Sequence, residues 1–150
     1  MALALAVVGL DQLTKWLVVS TLEEGESVRI LGDVLWISHI RNSGAAFGLL
    51  RGFGGLLALV ALVGVVAFFA IIVQKPPAII GVAAALVAAG ALGNLVDRLF
   101  RGPIGRGSVV DFVDFRFWPA FNVADSAITI GAVLIVWSEL RSGRVSTDSG

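Results

Sequence analysis

The chain has 150 residues, 57% of them apolar and only 15% charged, with a formal net charge of zero. A water-soluble domain carries about a quarter charged residues, so this one cannot cover a wet surface and lipid must be its solvent. Zero net charge supplies no basic field for nucleic acid, the absence of cysteine removes disulfides, thiolate metal sites and a thiol nucleophile, and a single histidine, His39, leaves no multi-histidine metal centre.

The first expected membrane span covers about residues 1–20 and is apolar except for Asp11, Gln12, Thr14 and Lys15. It does not read as a cleavable signal peptide, because it has no basic leading region and Asp11 and Lys15 would interrupt its apolar stretch. The start at Met1 without a basic flank leads us to expect that a short leading segment is absent. Asp11 and Lys15 stand four residues apart with the acid first, the favoured order for a pair on one helix face. An ionisable group at membrane depth costs about 2.5 kcal/mol or more, so the pair must have a role. Two are open: a structural ion pair facing the bundle interior, or a Lys15 that activates Ser43, Ser108 or Ser126. Asp11 counts against the second, since a nearby anion keeps Lys15 charged.

The segment that follows is rich in β-branched residues at Ser27–Ile30 and Val34–Ile40, which predicts short strands. Gly44 to Gly55, glycine-rich and apolar with one arginine, is expected along the membrane interface. The second and third spans are expected at 54–74 and 77–97, each near the roughly 20 residues a bilayer requires. Lys75-Pro76-Pro77 is a tight turn between them, since proline breaks a helix interior. Glycine and alanine crowd the third span from Gly81 to Gly93, which suits close helix approach in lipid. Gly90, Asn94 and Asp97 share one face there, with Asn94 pointing into the bundle, and an Asp97–Arg98 pair is expected to anchor the helix end.

Ser108 to Phe117 reads as an extended segment whose alternation separates two acids. Asp114 would share a face with Arg116 as a water-exposed pair. Asp111 would be the lone acid among apolar residues, where burial raises a carboxyl pKa and makes it a proton carrier near neutrality. The fourth span is expected at 123–140. Asn122 has the chemistry of its N-cap and Asp125 that of the third helical residue in a capping box, yet an acid one turn inside an apolar helix also suits chemistry. Two carboxyl groups about 3 Å apart share one proton and can activate water without metal, thiol or histidine. The polar tail, 141–150, is expected to be disordered.

Five motifs in order resemble lipoprotein signal peptidase, the signal peptidase II family of membrane aspartic peptidases. They are Asp11-Gln12-Leu13-Thr14-Lys15, Arg41-Asn42-Ser43-Gly44-Ala45-Ala46-Phe47-Gly48, Gly90-Ala91-Leu92-Gly93-Asn94-Leu95-Val96-Asp97-Arg98, Val109-Val110-Asp111-Phe112 and Phe121-Asn122-Val123-Ala124-Asp125. The resemblance implies an all-α membrane protein, a four-helix bundle with a small extracytoplasmic β-rich platform. It implies an endopeptidase that removes the signal peptide from diacylglyceryl-modified prolipoproteins, cutting before the lipidated cysteine. Asp111 and Asp125 match its catalytic pair, while Asp11, Lys15, Asn42, Gly44, Asn94, Asp97, Arg98, Asn122 and Ala124 match supporting or substrate-binding positions. No metal and no cofactor are implied; the implied partners are lipid-modified signal peptides, membrane lipids and the peptide antibiotics that inhibit the family.

Ala89 departs from a glycine found in many members, and the stretch from Asp111 to Asp125 has little room beyond a strand and a turn at Pro119. The family also places both termini in the cytoplasm of a bacterial inner membrane, with the site near the outer leaflet. The arginine count opposes this: Arg29, Arg41, Arg51, Arg98, Arg101, Arg106 and Arg116 lie on the loop side, against Lys75, Arg141 and Arg144 on the other, and basic residues normally stay inside. The rival function is a proton-coupled transporter with Asp11, Asp97 and Asp125 as a relay, disfavoured by four spans without repeats or broken helices.

Overall fold

The computed structural model describes residues 1–43, 54–102 and 107–147. In chain order these form α1 (Ala2–Thr21), β1 (Ser27–Leu31), β2 (Leu35–Asn42), α2 (Gly54–Val73), α3 (Ala78–Phe100), β3 (Val109–Asp114) and α4 (Val123–Thr147). Three helices, α1, α3 and α4 as far as Arg141, are long and apolar enough to cross a membrane. The fourth, α2, has 20 residues and no charged one, which at 1.5 Å per residue gives about 30 Å, the thickness of the hydrocarbon core. The protein is therefore a membrane-embedded helical bundle carrying a small antiparallel sheet, as expected.

Helix α3 lies at the centre and touches α1, α2 and α4. Its small residues permit this. On the α2 side Phe68 packs onto Ala84, Ala85 and Ala88. On the α4 side Gly90 lies so close that an added Cβ would collide with the Ala124 carbonyl oxygen and come within 2.7 Å of Ile128 Cγ1. Gly131 of α4 returns the contact one turn further along, where a Cβ would be 2.7 Å from the Ala83 oxygen. Helix α1 is polar inside and apolar outside: Asp11, Lys15 and Val18 are buried, whereas Leu10, Leu13, Trp16 and Leu17 are exposed to the lipid side. Charge at membrane depth is tolerated in that arrangement because it faces the protein.

The sheet has the order β1-β2-β3. Val28 pairs with Ile37, and Ile40 with Asp111. After β3 the chain turns at Pro119 and doubles back, so that Phe121 bridges to Val113 and its carbonyl accepts from the Phe112 and Val113 amides at 3.0 and 2.8 Å. That short return sets Asn122 beside β3 and starts α4 there.

Two expectations are corrected. Asp114 is buried, not water-exposed. It keeps Arg116 as a partner at 3.5 Å, but the Ser38 hydroxyl also donates to it at 2.9 Å, and the Arg116 guanidinium lies over the cross-strand Trp36 ring. Alternation assigns a wet face only to a strand that has one, and β3 is covered on both: Val110 and Phe112 pack against Val18 of α1. Residues 141–147, expected in a disordered tail, continue α4 instead; no proline stops it, and Arg141 stacks 4.1 Å over Trp137, one turn back. Of the segment expected along the interface, residues 44–53, Gly44 among them, lie outside the described residues, and Gly54 and Gly55 open α2.

Candidate active site

Asp111 points from β3 into a pair of amides. Asn122 Nδ2 donates to its Oδ1 at 2.7 Å and Asn42 Nδ2, from the end of β2, to its Oδ2 at 2.8 Å. The group is buried, as expected, and is held between two asparagines. Burial is the largest influence on it and raises its pKa to about 6; the amide of Asn42 opposes the rise, and the negative charge of Asp125 adds to it.

Asn122 also caps α4. Its Oδ1 accepts from the Asp125 amide at 2.9 Å, satisfying one of the free N–H groups of the first turn. The other half of a capping box is not what Asp125 forms: its Oδ1 accepts from Asn94 Nδ2 of α3 at 2.8 Å. Asp125 is half-buried and so reachable, whereas Asp111 is buried. Asn94 Oδ1 in turn lies 3.4 Å from Asn122 Nδ2. Two buried amides therefore connect the carboxylates, one from α3 and one from the start of α4.

Below this pair lies a charge cluster. Lys15 Nζ is 2.9 Å from Asp11 Oδ2 and 3.0 Å from Asp97 Oδ2, all with fully buried side chains, and it donates to Asn94 Oδ1 at 3.1 Å. An ammonium has three donors, and three acceptors lie within reach of it. That arrangement is the buried ion pair facing the bundle interior, with Asn94 as a third partner. Asp97 Oδ1 is held by Arg101 Nε at 2.8 Å, not by Arg98 as expected. The reason is helical geometry: residues four apart share a face and adjacent ones do not. Arg98 is buried, donates to the Asn94 carbonyl at 3.2 Å, and lies in the field of Asp125, Asp111 and Asp97.

The structure brings Asp11, Lys15, Asn42, Asn94, Asp97, Arg98, Asn122, Ala124 and both proposed catalytic acids into one connected region. Gln12, in the sequence only a polar interruption of the first span, belongs there too. Its Nε2 lies 3.1 Å from Asp11 Oδ2, Asp97 Oδ1 and the Gly93 carbonyl. The usable signal was its place beside Asp11 in an otherwise apolar helix. Among the described residues no group of three or more His, Cys, Asp or Glu is arranged to hold a metal.

Residues 3–141 match the family described as Signal peptidase (SPase) II. The chain is 44% identical to the lipoprotein signal peptidase of Shouchella clausii, covering 94% of this chain and 92% of that one. It is 42% identical to that of Anoxybacillus flavithermus, covering 97% and 89%. A bacterial membrane enzyme solved by the in meso method at 2.3 Å superposes with a TM-score of 0.86 and 34% identity, over 95% of this chain and 87% of the other.

Proposed function

The chain belongs to the signal peptidase II family and is a peptidase; on that premise we propose that it removes signal peptides from diacylglyceryl-modified prolipoproteins, cutting before the lipidated cysteine with Asp111 and Asp125. The observation that carries the dyad is the amide bridge: Asn122 and Asn94 tie the two carboxylates to each other as well as to the backbone. Asp111, raised to about 6 by burial, suits the member that holds the shared proton. Asp125, half-buried at the mouth of the site, suits the base.

In the proposed reaction a water between them gives a proton to Asp125 as its oxygen adds to the scissile carbonyl carbon, while Asp111 protonates the carbonyl oxygen. Collapse of the gem-diol breaks the C–N bond. The Asp125 proton goes to the leaving nitrogen, a gem-diol proton returns to Asp111, and the dyad is restored. Asp125 sits in the first turn of α4 and Asp111 on the sheet, so the bond is cut at the membrane surface, near the outer leaflet of the bacterial inner membrane. The diacylglyceryl chains stay in lipid, each buried CH₂ contributing about 0.8 kcal/mol of anchoring. Arg98, whose guanidinium has donors beyond the one given to Asn94, is the candidate contact to the peptide carbonyls.

The test is cleavage of a diacylglyceryl-modified peptide by purified protein in detergent. Asp111→Asn and Asp125→Asn should each abolish it, and the double variant should be no worse than either, because residues acting as a unit are not additive. Substantial turnover by either single variant overturns the dyad.

A further inference from the structure

We propose that Asp11 and Asp97, joined by Lys15, are positioning residues that set the separation of Asp111 and Asp125 by holding the backbone one residue ahead of each; the proposal rests on the dyad reading above. Asp11 Oδ1 accepts from the Ala124 amide at 2.9 Å, and Ala124 precedes Asp125. Asp97 Oδ2 accepts from the Val110 amide at 3.1 Å, and Val110 precedes Asp111. Both acids are buried and both close on Lys15 Nζ, at 2.9 and 3.0 Å. A helix start from one part of the chain and a strand from another are thus fixed to a single ammonium. Lys15 adds a third tie through Asn94, whose amide holds Asp125 itself.

An ion pair that only anchored α1 to the bundle would need no more than side-chain contacts with α3. Here Asp11 passes α3 to reach the first turn of α4. Gly93 leaves the path open, since a Cβ there would come within 2.6 Å of Asp11 Oδ2 and 3.3 Å of Ala124 Cβ. The bond also places negative charge on free N–H groups at a helix N-terminus, where it is favourable. Gln12 Nε2 bonds to both acids and fixes their spacing from the side. Adjacent Cα atoms are about 3.8 Å apart, so an error at Ala124 or Val110 is passed almost undiminished to the reacting carboxyl.

The experiment compares Asp11→Leu and Asp97→Leu, which remove the acceptor, with Asp11→Asn and Asp97→Asn, which remove the charge but retain an oxygen. All four lose part of the ion cluster and should melt earlier. Positioning predicts a kcat lowered about 100-fold in the Leu proteins, KM near wild type, most of the loss regained in the Asn proteins, and faster hydrogen exchange at the Ala124 and Val110 amides wherever kcat falls. Leu proteins that cleave at the wild-type kcat once folded, or Asn proteins as slow as Leu ones, overturn it. Should the Leu proteins not fold, the Asn proteins decide: kcat and amide protection changing together support the proposal, and protection lost at unchanged kcat overturns it. Asp111→Asn and Asp125→Asn run alongside, since turnover by those variants refutes the dyad while leaving the exchange result standing.

Discussion

At the scale of single residues, Asp111 links stability to pH. Its folded pKa is near 6, against about 3.9 for an unfolded aspartate. Between these values the folded chain keeps a proton that the unfolded chain has released, so stability falls as pH rises from about 4 to about 6. Asp111→Asn removes that term: its melting temperature should lack this part of the wild-type decline with pH, whatever the new amide loses by accepting only one of the bonds that Asn122 and Asn42 donate. An identical decline in both proteins would place the raised pKa on another group. Asp111 and Asp125 stand out in the sequence as candidates because an acid in an apolar run needs a reason, and the structure links them through two amides. The partners are less legible. Asn42, which the sequence offers only as a supporting or substrate-binding position, donates to Asp111. Asp97 takes Arg101 rather than its neighbour, which the four-residue spacing contained and a reading of adjacent charges passed over.

Among the elements, the spans were legible because long uncharged runs and the Pro76-Pro77 break leave few alternatives. The first two strands were too, to within a residue or two at their ends, while the segment expected to run to Phe117 ends as β3 at Asp114. What periodicity cannot supply is coverage: β3 alternates like a half-exposed strand and is enclosed on both faces, so Asp114 is buried where alternation alone predicts a wet face. The contact of α3 with α4 is the junction most sensitive to change. Gly90→Ala must push the Ala124 carbonyl and Ile128 away, an overpacking that costs about 1–3 kcal/mol. Because Asn94 stands one turn beyond Gly90 and holds Asp125, cleavage should fall together with stability. Gly9→Ala is the control: no atom lies within 4 Å of a Cβ there, and exchanging glycine for alanine in a helix interior gains about 0.5–1 kcal/mol. Melting curves and cleavage rates of the two proteins check this; equal behaviour would mean that α4 yields freely at the crossing.

Across the whole molecule, four helices return the chain to the side on which it began, with the sheet, Asp111 and Asp125 at the other end of the bundle. Basic residues at membrane-span ends normally face the cytoplasm, and by number they favour the sheet side. Among the described residues, four of those arginines are in ion pairs: Arg29 with Asp33, Arg41 with Glu24, Arg101 with Asp97 and Arg116 with Asp114. Arg98 is buried as well. They build the platform and the site, so their number reflects function at the sheet as much as a retention signal. The substrate supplies the stronger constraint. In the proposed reaction the scissile bond lies near the outer leaflet, and a proposed dyad facing the cytoplasm would not meet it. The proposed orientation therefore puts the sheet outside and both termini inside. The chain has no cysteine, so single cysteines report sidedness without background. Asp33→Cys, at the exposed β1–β2 turn, should react with a membrane-impermeant maleimide in intact cells. Gln74→Cys, exposed at the turn between α2 and α3, should react only after the membrane is opened. The reverse pattern would restore the arginine count as the guide to topology and leave the proposed cleavage without access to its substrate.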